Sequence, residues 1–248
     1  MSKLFFTLLL TSILWVTPAQ ADWGKWLDNI GQTGRTLLNK NASQDSLSPD
    51  QLVAGLKEAL EVGSQRAVDT VSQAGGYLNN PKIRIPLPPR VQQASDLMRR
   101  VGMTKLADDF EQSINLAAEK AAPQAQAIMV DAIKQMSISD ARQILQGEND
   151  AATRYFEGKT TPQLTRLFEP VIENSLNEVG ATRYYNQMDE RLSAVPMVGQ
   201  NLNVDLTDYV TQQALNGLFV MLAAEEQKIR QNPAARTSEL LKQVFGAN

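Results

Sequence analysis

Apolar residues recur every three or four positions along residues 107–145, and this period constrains the fold more than any other feature of the sequence. Pro123 divides the stretch into two halves, each with a continuous apolar stripe. A period near 3.6 residues is typical of amphipathic helices that pack on other helices. Many of the stripe positions are alanines, whose small side chains let neighbouring helices approach closely. The stretch therefore predicts a pair of helices at the centre of an all-α fold.

The first 21 residues have the pattern of a cleavable export signal. Lys3 supplies a positive charge, residues 4–16 form a short apolar run, and Ala19-Gln20-Ala21 has the small-x-small pattern that precedes a signal peptidase cut. The apolar run is shorter than the ~20 residues that a membrane-spanning helix needs. We therefore expect cleavage after Ala21 and a periplasmic mature protein. A retained N-terminal anchor is the alternative.

The chain contains neither histidine nor cysteine. Without imidazole, the sequence excludes Ser-His-Asp and Cys-His catalysis, zinc sites that need histidine, and haem ligation by histidine. Without thiols, it excludes disulfides, thiolate catalysis and cysteine-held iron–sulfur clusters. We expect no cofactor. Any enzyme chemistry is limited to carboxylate, hydroxyl, lysine and tyrosine groups.

The charge balance argues against nucleic acid as a partner. Removal of Lys3 with the signal leaves 23 basic and 27 acidic side chains, which are interspersed along the chain. Nucleic-acid-binding domains usually carry a basic stripe that neutralises phosphates. A metal site is not expected either. Asn201, Asn203 and Asp205 alternate like the first ligands of a calcium loop, but Leu206 replaces its glycine and Gln212 its closing glutamate.

We divide the mature chain into an N-terminal arm with a linker, residues 22–47, and a single all-α domain of about eight to ten helices, residues 48–248. The arm is amphipathic and contains Trp23 and Trp26, the only tryptophans after the signal. One interpretation is an interfacial helix whose indoles contact lipid headgroups, so that membrane contact is at most peripheral. The other is a loose arm that folds back on the domain.

Local signals predict where several helices begin and end. Ser48 with Gln51 and Ser137 with Asp140 have the spacing of capping boxes. Asp205 is expected to cap a long helix near the C-terminus. A helix ending at Gly158 and a second one beginning at Thr161-Pro162 are predicted from the glycine and the proline. A last short helix is expected to begin at Thr237 or Ser238.

A proline-rich stretch, residues 83–88, interrupts the helical pattern; we call it the crossing segment. Ile83, Ile85 and Leu87 alternate with Arg84, Pro86 and Pro88, which predicts an extended rather than a helical backbone. We consider Ile83, Arg84, Ile85 and Leu87 a candidate docking edge for a partner. The alternative is that the segment only holds two helices together across a surface.

A second group of candidates is polar. Asn115 and Glu119 lie one helical turn apart among alanines, where a solvent-exposed face would carry more charge. A carboxylate buried there would have a raised pKa or a basic partner, and either makes it a site candidate. The candidate polar site comprises Asn115, Glu119, Glu225, Glu226, Arg230 and Arg236. The alternative is that these groups face water or link helices.

Several strings of the sequence resemble a known family. They include Ile83-Arg84-Ile85-Pro86-Leu87-Pro88, Asn115-x-Ala-Ala-Glu119 and Glu225-Glu226-x-x-Ile229-Arg230-x-Asn232-Pro233. Together they are similar to an exported bacterial family catalogued as domain of unknown function number 4197, over residues 47–246. The resemblance implies an exported helical protein and brings no activity, cofactor or catalytic residue with it.

Three hypotheses for the function follow from the sequence. The first is a non-enzymatic interaction or structural protein of the cell envelope with a protein partner. The second is a carrier for an apolar or lipid-like ligand, in which Met129, Met136 and Met221 adapt to the ligand. The third is a hydrolase in which Glu119 pairs with Glu225 or Glu226, as the two carboxylates of glycosidases do. No single residue is assigned as catalytic.

Overall fold

The structure is a computed structural model that describes residues 48–193 and 204–232. Its helices are α1 (Pro49–Ser72), α2 (Pro89–Arg100), α3 (Thr104–Ala121), a 3₁₀ turn (Ala122–Gln124), α4 (Ala125–Gln135), α5 (Ile138–Gln146), α6 (Ala151–Glu178), α7 (Ala181–Ser193) and α8 (Leu206–Gln231). The prediction of an all-α fold is confirmed. The described residues form eight α-helices, and the prediction for the whole domain was about eight to ten.

Several predictions fall on residues outside the described ranges. They concern the signal, the arm with Trp23 and Trp26, the residues Asn201 and Asn203, the polar candidate Arg236, and the last helix. The division at residues 21 and 47 therefore stays a prediction. Among the helices that the structure describes, none is both long enough and apolar enough to cross a membrane.

The predicted caps are present at three helix starts. The Ser48 hydroxyl accepts a hydrogen bond from the Gln51 N–H at 3.2 Å, and Gln51 Oε1 accepts one from the Ser48 N–H at 2.8 Å. Ser137 and Asp140 form the same reciprocal pair at the start of α5. Asp205 accepts from the Asp208 N–H at 3.0 Å and caps α8. Because each cap joins residues three positions apart, it can be predicted from the sequence without knowledge of the fold.

Helix α6 differs from the prediction. It is continuous from Ala151 to Glu178, so the expected division between Gly158 and Thr161 is wrong. Pro162 removes one hydrogen bond of the helix. However, Phe156, Leu164 and Phe168, on either side of Pro162, are fully buried. Burial of these large apolar side chains along one continuous helix outweighs the loss of one backbone hydrogen bond.

Helices α1 and α8 run antiparallel at the centre of the domain. They approach closely at Gly63, where an added Cβ would lie 3.5 Å from Ile229 Cδ1. After the end of α1, the ring of Tyr77 packs against Gly217, near the middle of α8. One cluster of buried apolar side chains takes members from each of α1 to α8 and from the crossing segment. The alanines of the central stretch at 117, 118, 121, 122 and 125 are fully buried within it.

Candidate functional site

The carboxylate of Glu119 is buried and binds the turn that follows α1. Its Oε2 accepts a hydrogen bond from the Gly75 N–H at 3.1 Å. Its Oε1 accepts from the N–H groups of Tyr77 at 3.2 Å and Leu78 at 3.4 Å. Converging backbone N–H groups form a concave site for an anion, and here a side chain of the same chain fills it. Both oxygens of Glu119 therefore already have partners within the protein.

Two glycines make this turn possible. Gly75 has a φ of 78°, which residues with a Cβ rarely adopt. An added Cβ at Gly76 would lie 2.6 Å from the carbonyl oxygens of Thr70 and Val71. The pair Gly75-Gly76 thus lets the backbone reverse tightly enough to direct its N–H groups at Glu119.

Tyr77 is a buried residue that the sequence patterns did not single out. Its hydroxyl donates a hydrogen bond to the carbonyl oxygen of Ala214 at 2.7 Å. Burial, followed by the charge of Glu119, raises the pKa of the Tyr77 phenol, so it stays a neutral donor. An added Cβ at Gly217 would lie only 2.6 Å from the ring. The sequence signal that could have indicated Tyr77 is its position directly after the glycine pair Gly75-Gly76.

Asn115 is fully buried and binds the crossing segment through its backbone. Asn115 Oδ1 accepts a hydrogen bond from the Ile85 N–H at 2.9 Å, and its Nδ2 donates to the Ile85 carbonyl at 3.0 Å. The side-chain amide therefore pairs with Ile85 much as a neighbouring strand would. Together, Asn115 and Glu119 attach α3 to two positions of the connection between α1 and α2.

The crossing segment turns its apolar side chains inward. Ile83, Ile85 and Leu87 are each at most 5 % exposed, whereas Arg84 is exposed and lies 2.7 Å from Glu111. The Tyr209 hydroxyl donates to the Pro86 carbonyl at 2.9 Å, which adds a contact with α8. Of the four candidate docking residues, only Arg84 is therefore available at the surface.

The carboxylate of Glu226 binds backbone N–H groups at the start of α6, as the carboxylate of Glu119 does at the turn after α1. It accepts hydrogen bonds from the N–H groups of Ala152 at 3.0 Å and Thr153 at 2.9 Å, and from the Thr153 hydroxyl. Arg230 donates to the same carboxylate at 2.9 Å and to the Ile144 carbonyl at 2.8 Å. A carboxylate at a helix N-terminus satisfies unpaired N–H groups and interacts favourably with the helix dipole.

The polar candidates that lie within the described residues do not come together in one site. Glu225 pairs with Lys228 at 2.5 Å, close to Glu226 on α8. The turn that Glu119 binds contacts α8 at Gly217, nine residues before Glu226, which corresponds to about 13 Å along the helix axis. Glu119 with Asn115, and Glu226 with Arg230, are thus two separate clusters.

A small apolar recess lies between α1, α6 and α8; we call it the α1–α8 recess. It is lined by Leu56, Ala59, Leu60 and Gly63 of α1, Ala152 of α6, and Leu222, Glu226, Ile229 and Arg230 of α8. The volume open to the centre of a water molecule is about 20 Å³. That is room for about one water, while small-molecule pockets typically measure about 300–1,000 Å³.

In the described residues, no group of three or more acidic side chains is arranged so that it could hold a metal ion. One shifted group lies on α1. Partial burial, opposed by Lys134 and increased by Glu58, raises the pKa of Glu61 to about 7. Glu61 lies outside both polar clusters, and its titration affects the stability of the fold.

Comparison with known proteins gives a family and no characterised relative. The family model described as "Protein of unknown function (DUF4197)" matches residues 46–246, a range that contains every described residue. No curated protein and no solved structure matches the chain. The family resemblance of the sequence strings is confirmed.

Proposed function

This chain belongs to the DUF4197 family of unknown function, and we propose that it is an exported, non-enzymatic interaction or structural protein of the cell envelope. The observation that carries the proposal is how Glu119 and Glu226 are used. Each of these buried carboxylates binds backbone N–H groups of the protein with both oxygens. They hold connections between helices in place.

The same geometry weakens the hydrolase hypothesis. A general acid or base must reach the proton that it transfers, directly or through one water. In glycosidases, two carboxylates face each other at about 5–9.5 Å across one cleft. Glu119 instead binds the turn at Tyr77, which packs against Gly217 of α8, and Glu226 binds the start of α6. The two carboxylates therefore do not face each other across one cleft.

The crossing segment supplies a surface suited to a protein partner. Its backbone is fixed at Ile85 by Asn115 and at Pro86 by Tyr209. The side chains of Arg84 and Pro86 are exposed along it, and so is that of Lys82 directly before it. An extended segment that is already ordered loses little conformational entropy when it binds, which favours association.

The proposal is tested by site-specific photocrosslinking in the periplasm of a Gram-negative host. A photoreactive residue replaces Pro86 in one variant and Gln163, exposed on α6, in the control. We expect a discrete adduct from position 86 that position 163 does not give, with both variants recovered from the periplasmic fraction. Equal adduct patterns, retention in the cytoplasm, or steady turnover of a substrate by the purified protein would contradict the proposal.

The alternative of an apolar-ligand carrier has one supporting feature, the apolar lining of the α1–α8 recess. Its volume of about 20 Å³ is small for such a ligand, and Met129 and Met136 are buried in the core rather than part of its lining. Solvent extraction of the purified protein separates the two functions. We expect a clean extract; a stoichiometric lipid would favour the carrier.

A further inference from the structure

The surface at the crossing segment is basic, although the chain as a whole is acidic. Residues 70–95 contain three basic side chains, Lys82, Arg84 and Arg90, and no acidic one, whereas the chain has a net charge of −3. All three side chains are exposed, and we call them the basic strip. We propose that the basic strip binds an acidic segment of a partner protein. This inference rests on the proposed function and adds the chemistry of the partner.

The basic strip follows the path of the backbone. Lys82 lies in the turn directly before the crossing segment, Arg84 lies within the segment, and Arg90 lies in the first turn of α2 directly after it. Ile83 and Ile85, on either side of Arg84, are buried and fix the backbone between these charges. The first turn of α2 contains no acidic residue, so the positive end of its helix dipole adds to the charge of Arg90.

Arg84 is oriented by a carboxylate that is itself largely covered. Arg84 Nη2 lies 2.7 Å from Glu111 Oε1, and the second oxygen of Glu111 lies 3.7 Å from Arg99 Nη2. The side chain of Glu111 is 17 % exposed, whereas that of Arg84 is 48 % exposed. A guanidinium has five N–H donors in one plane, so Arg84 can bind a second carboxylate while Glu111 holds it. A side chain that is already oriented loses less entropy on binding.

The other two charges of the basic strip are not neutralised by neighbouring side chains. Within the described part of the chain, neither Lys82 nor Arg90 forms an ion pair. Carboxylates of a partner segment would therefore compensate charges that the described residues leave uncompensated. Such complementary charges increase the rate of association and exclude partners of the wrong sign.

An acidic protein segment fits the basic strip better than an anionic membrane surface does. Arg99 connects the strip to Asp96 and Asp108, whose side chains are 52 % and 58 % exposed. A flat anionic surface would bring its charges close to these carboxylates as well, whereas a single peptide can contact the strip alone. Because exposed charges act over about 8 Å at physiological salt, such a peptide experiences mainly the three basic side chains.

The direct test measures the binding of a labelled peptide of alternating glutamate and threonine to the purified full-length protein by fluorescence anisotropy. The test variant is Lys82→Gln/Arg84→Gln. The control, Lys159→Gln/Arg166→Gln, removes the same charge from exposed positions of α6. Asn115 holds the crossing segment through its backbone, which neither replacement in the test variant alters.

We expect the test variant to bind the glutamate peptide about tenfold more weakly than the wild type, and the control to bind it within about twofold of the wild type. Arg90→Gln, which lies outside the crossing segment, should also weaken binding. Added salt should weaken wild-type binding, because it screens exposed charges. Equal affinities of the two double variants would overturn the proposal, as would equal binding of a peptide with glutamine in place of glutamate. Binding to phosphatidylglycerol vesicles through Lys82 and Arg84, without binding of the peptide, would overturn it in favour of a membrane surface.

Crosslinking from position 86 separates this inference from the proposed function. In the Lys82→Gln/Arg84→Gln background, we expect the yield of the position 86 adduct to fall about tenfold. An unchanged yield would leave the proposed function intact and overturn the acidic partner. If position 86 gives no adduct even with the basic strip intact, the proposed function fails, and this inference fails with it.

Discussion

At the residue level, Glu119 joins segments more than 40 positions apart through three backbone N–H groups. Gln in its place keeps the shape but loses the charge and one acceptor oxygen. Since hydrogen bonds to charged groups contribute about 1.5–3 kcal/mol each, we expect Glu119→Gln to lower the free energy of unfolding by about 2–4 kcal/mol. Urea denaturation measures it. Glu173→Gln, exposed on α6, should change stability by less than about 0.5 kcal/mol. Equal effects would exclude the assigned role of Glu119.

Glu61 makes stability depend on pH. Partial burial raises its pKa in the folded protein from 4.5 to about 7. Between these values the unfolded chain has lost the proton that the folded protein retains, so stability falls as the pH rises through this interval. Below it, Glu61 is neutral in both states and imposes no penalty.

The substitution Glu61→Gln should therefore flatten the pH dependence of the urea midpoint between pH 4.5 and 7 and raise the midpoint at pH 8. The matched control is Glu157→Gln, at an exposed position of α6. If the urea midpoint of the Glu61 variant falls with pH as steeply as that of the wild type, other groups cause the pH dependence.

At the level of elements, the crossing segment depends on one side chain of α3. Asn115→Ala leaves the buried N–H and carbonyl of Ile85 without partners. Each unsatisfied group costs about 1–3 kcal/mol, so we expect a loss of about 2–4 kcal/mol. Hydrogen exchange at the Ile85 amide should accelerate more than exchange in α6. Gln112→Ala, at an exposed position of the same helix, should leave both unchanged. Slow exchange at Ile85 in the Asn115 variant would contradict the assignment.

The elements also show which features a sequence can reveal. The capping boxes at Ser48 and Ser137 were predictable because each involves residues three positions apart. The continuity of α6 through Pro162 was not, since it depends on what Phe156 and Phe168 pack against after folding. The burial of Glu119 was suspected from its alanine neighbours. Its partners were not predictable, because they lie 41 to 44 positions away and are backbone N–H groups, which any sequence possesses.

At the level of the whole molecule, a single methyl group at Gly217 tests how tightly the parts are coupled. An added Cβ would lie 2.6 Å from Tyr77 Cε1 and 3.2 Å from Ile83 Cβ. To accommodate it, Tyr77 must move, which disturbs its bond to Ala214, the turn on Glu119 and the crossing segment together.

We expect Gly217→Ala to destabilise the protein by about 1–3 kcal/mol, as overpacked core positions do. Because one apolar cluster includes every described helix, the loss should appear as a shift of a single thermal transition, measured by circular dichroism. Gly158→Ala is the control: it lies in α6 with nothing within 4 Å of the added Cβ. There alanine should stabilise the helix by about 0.5–1 kcal/mol. A second, separate transition in the Gly217 variant would mean that α8 and the crossing segment unfold independently of the remaining helices.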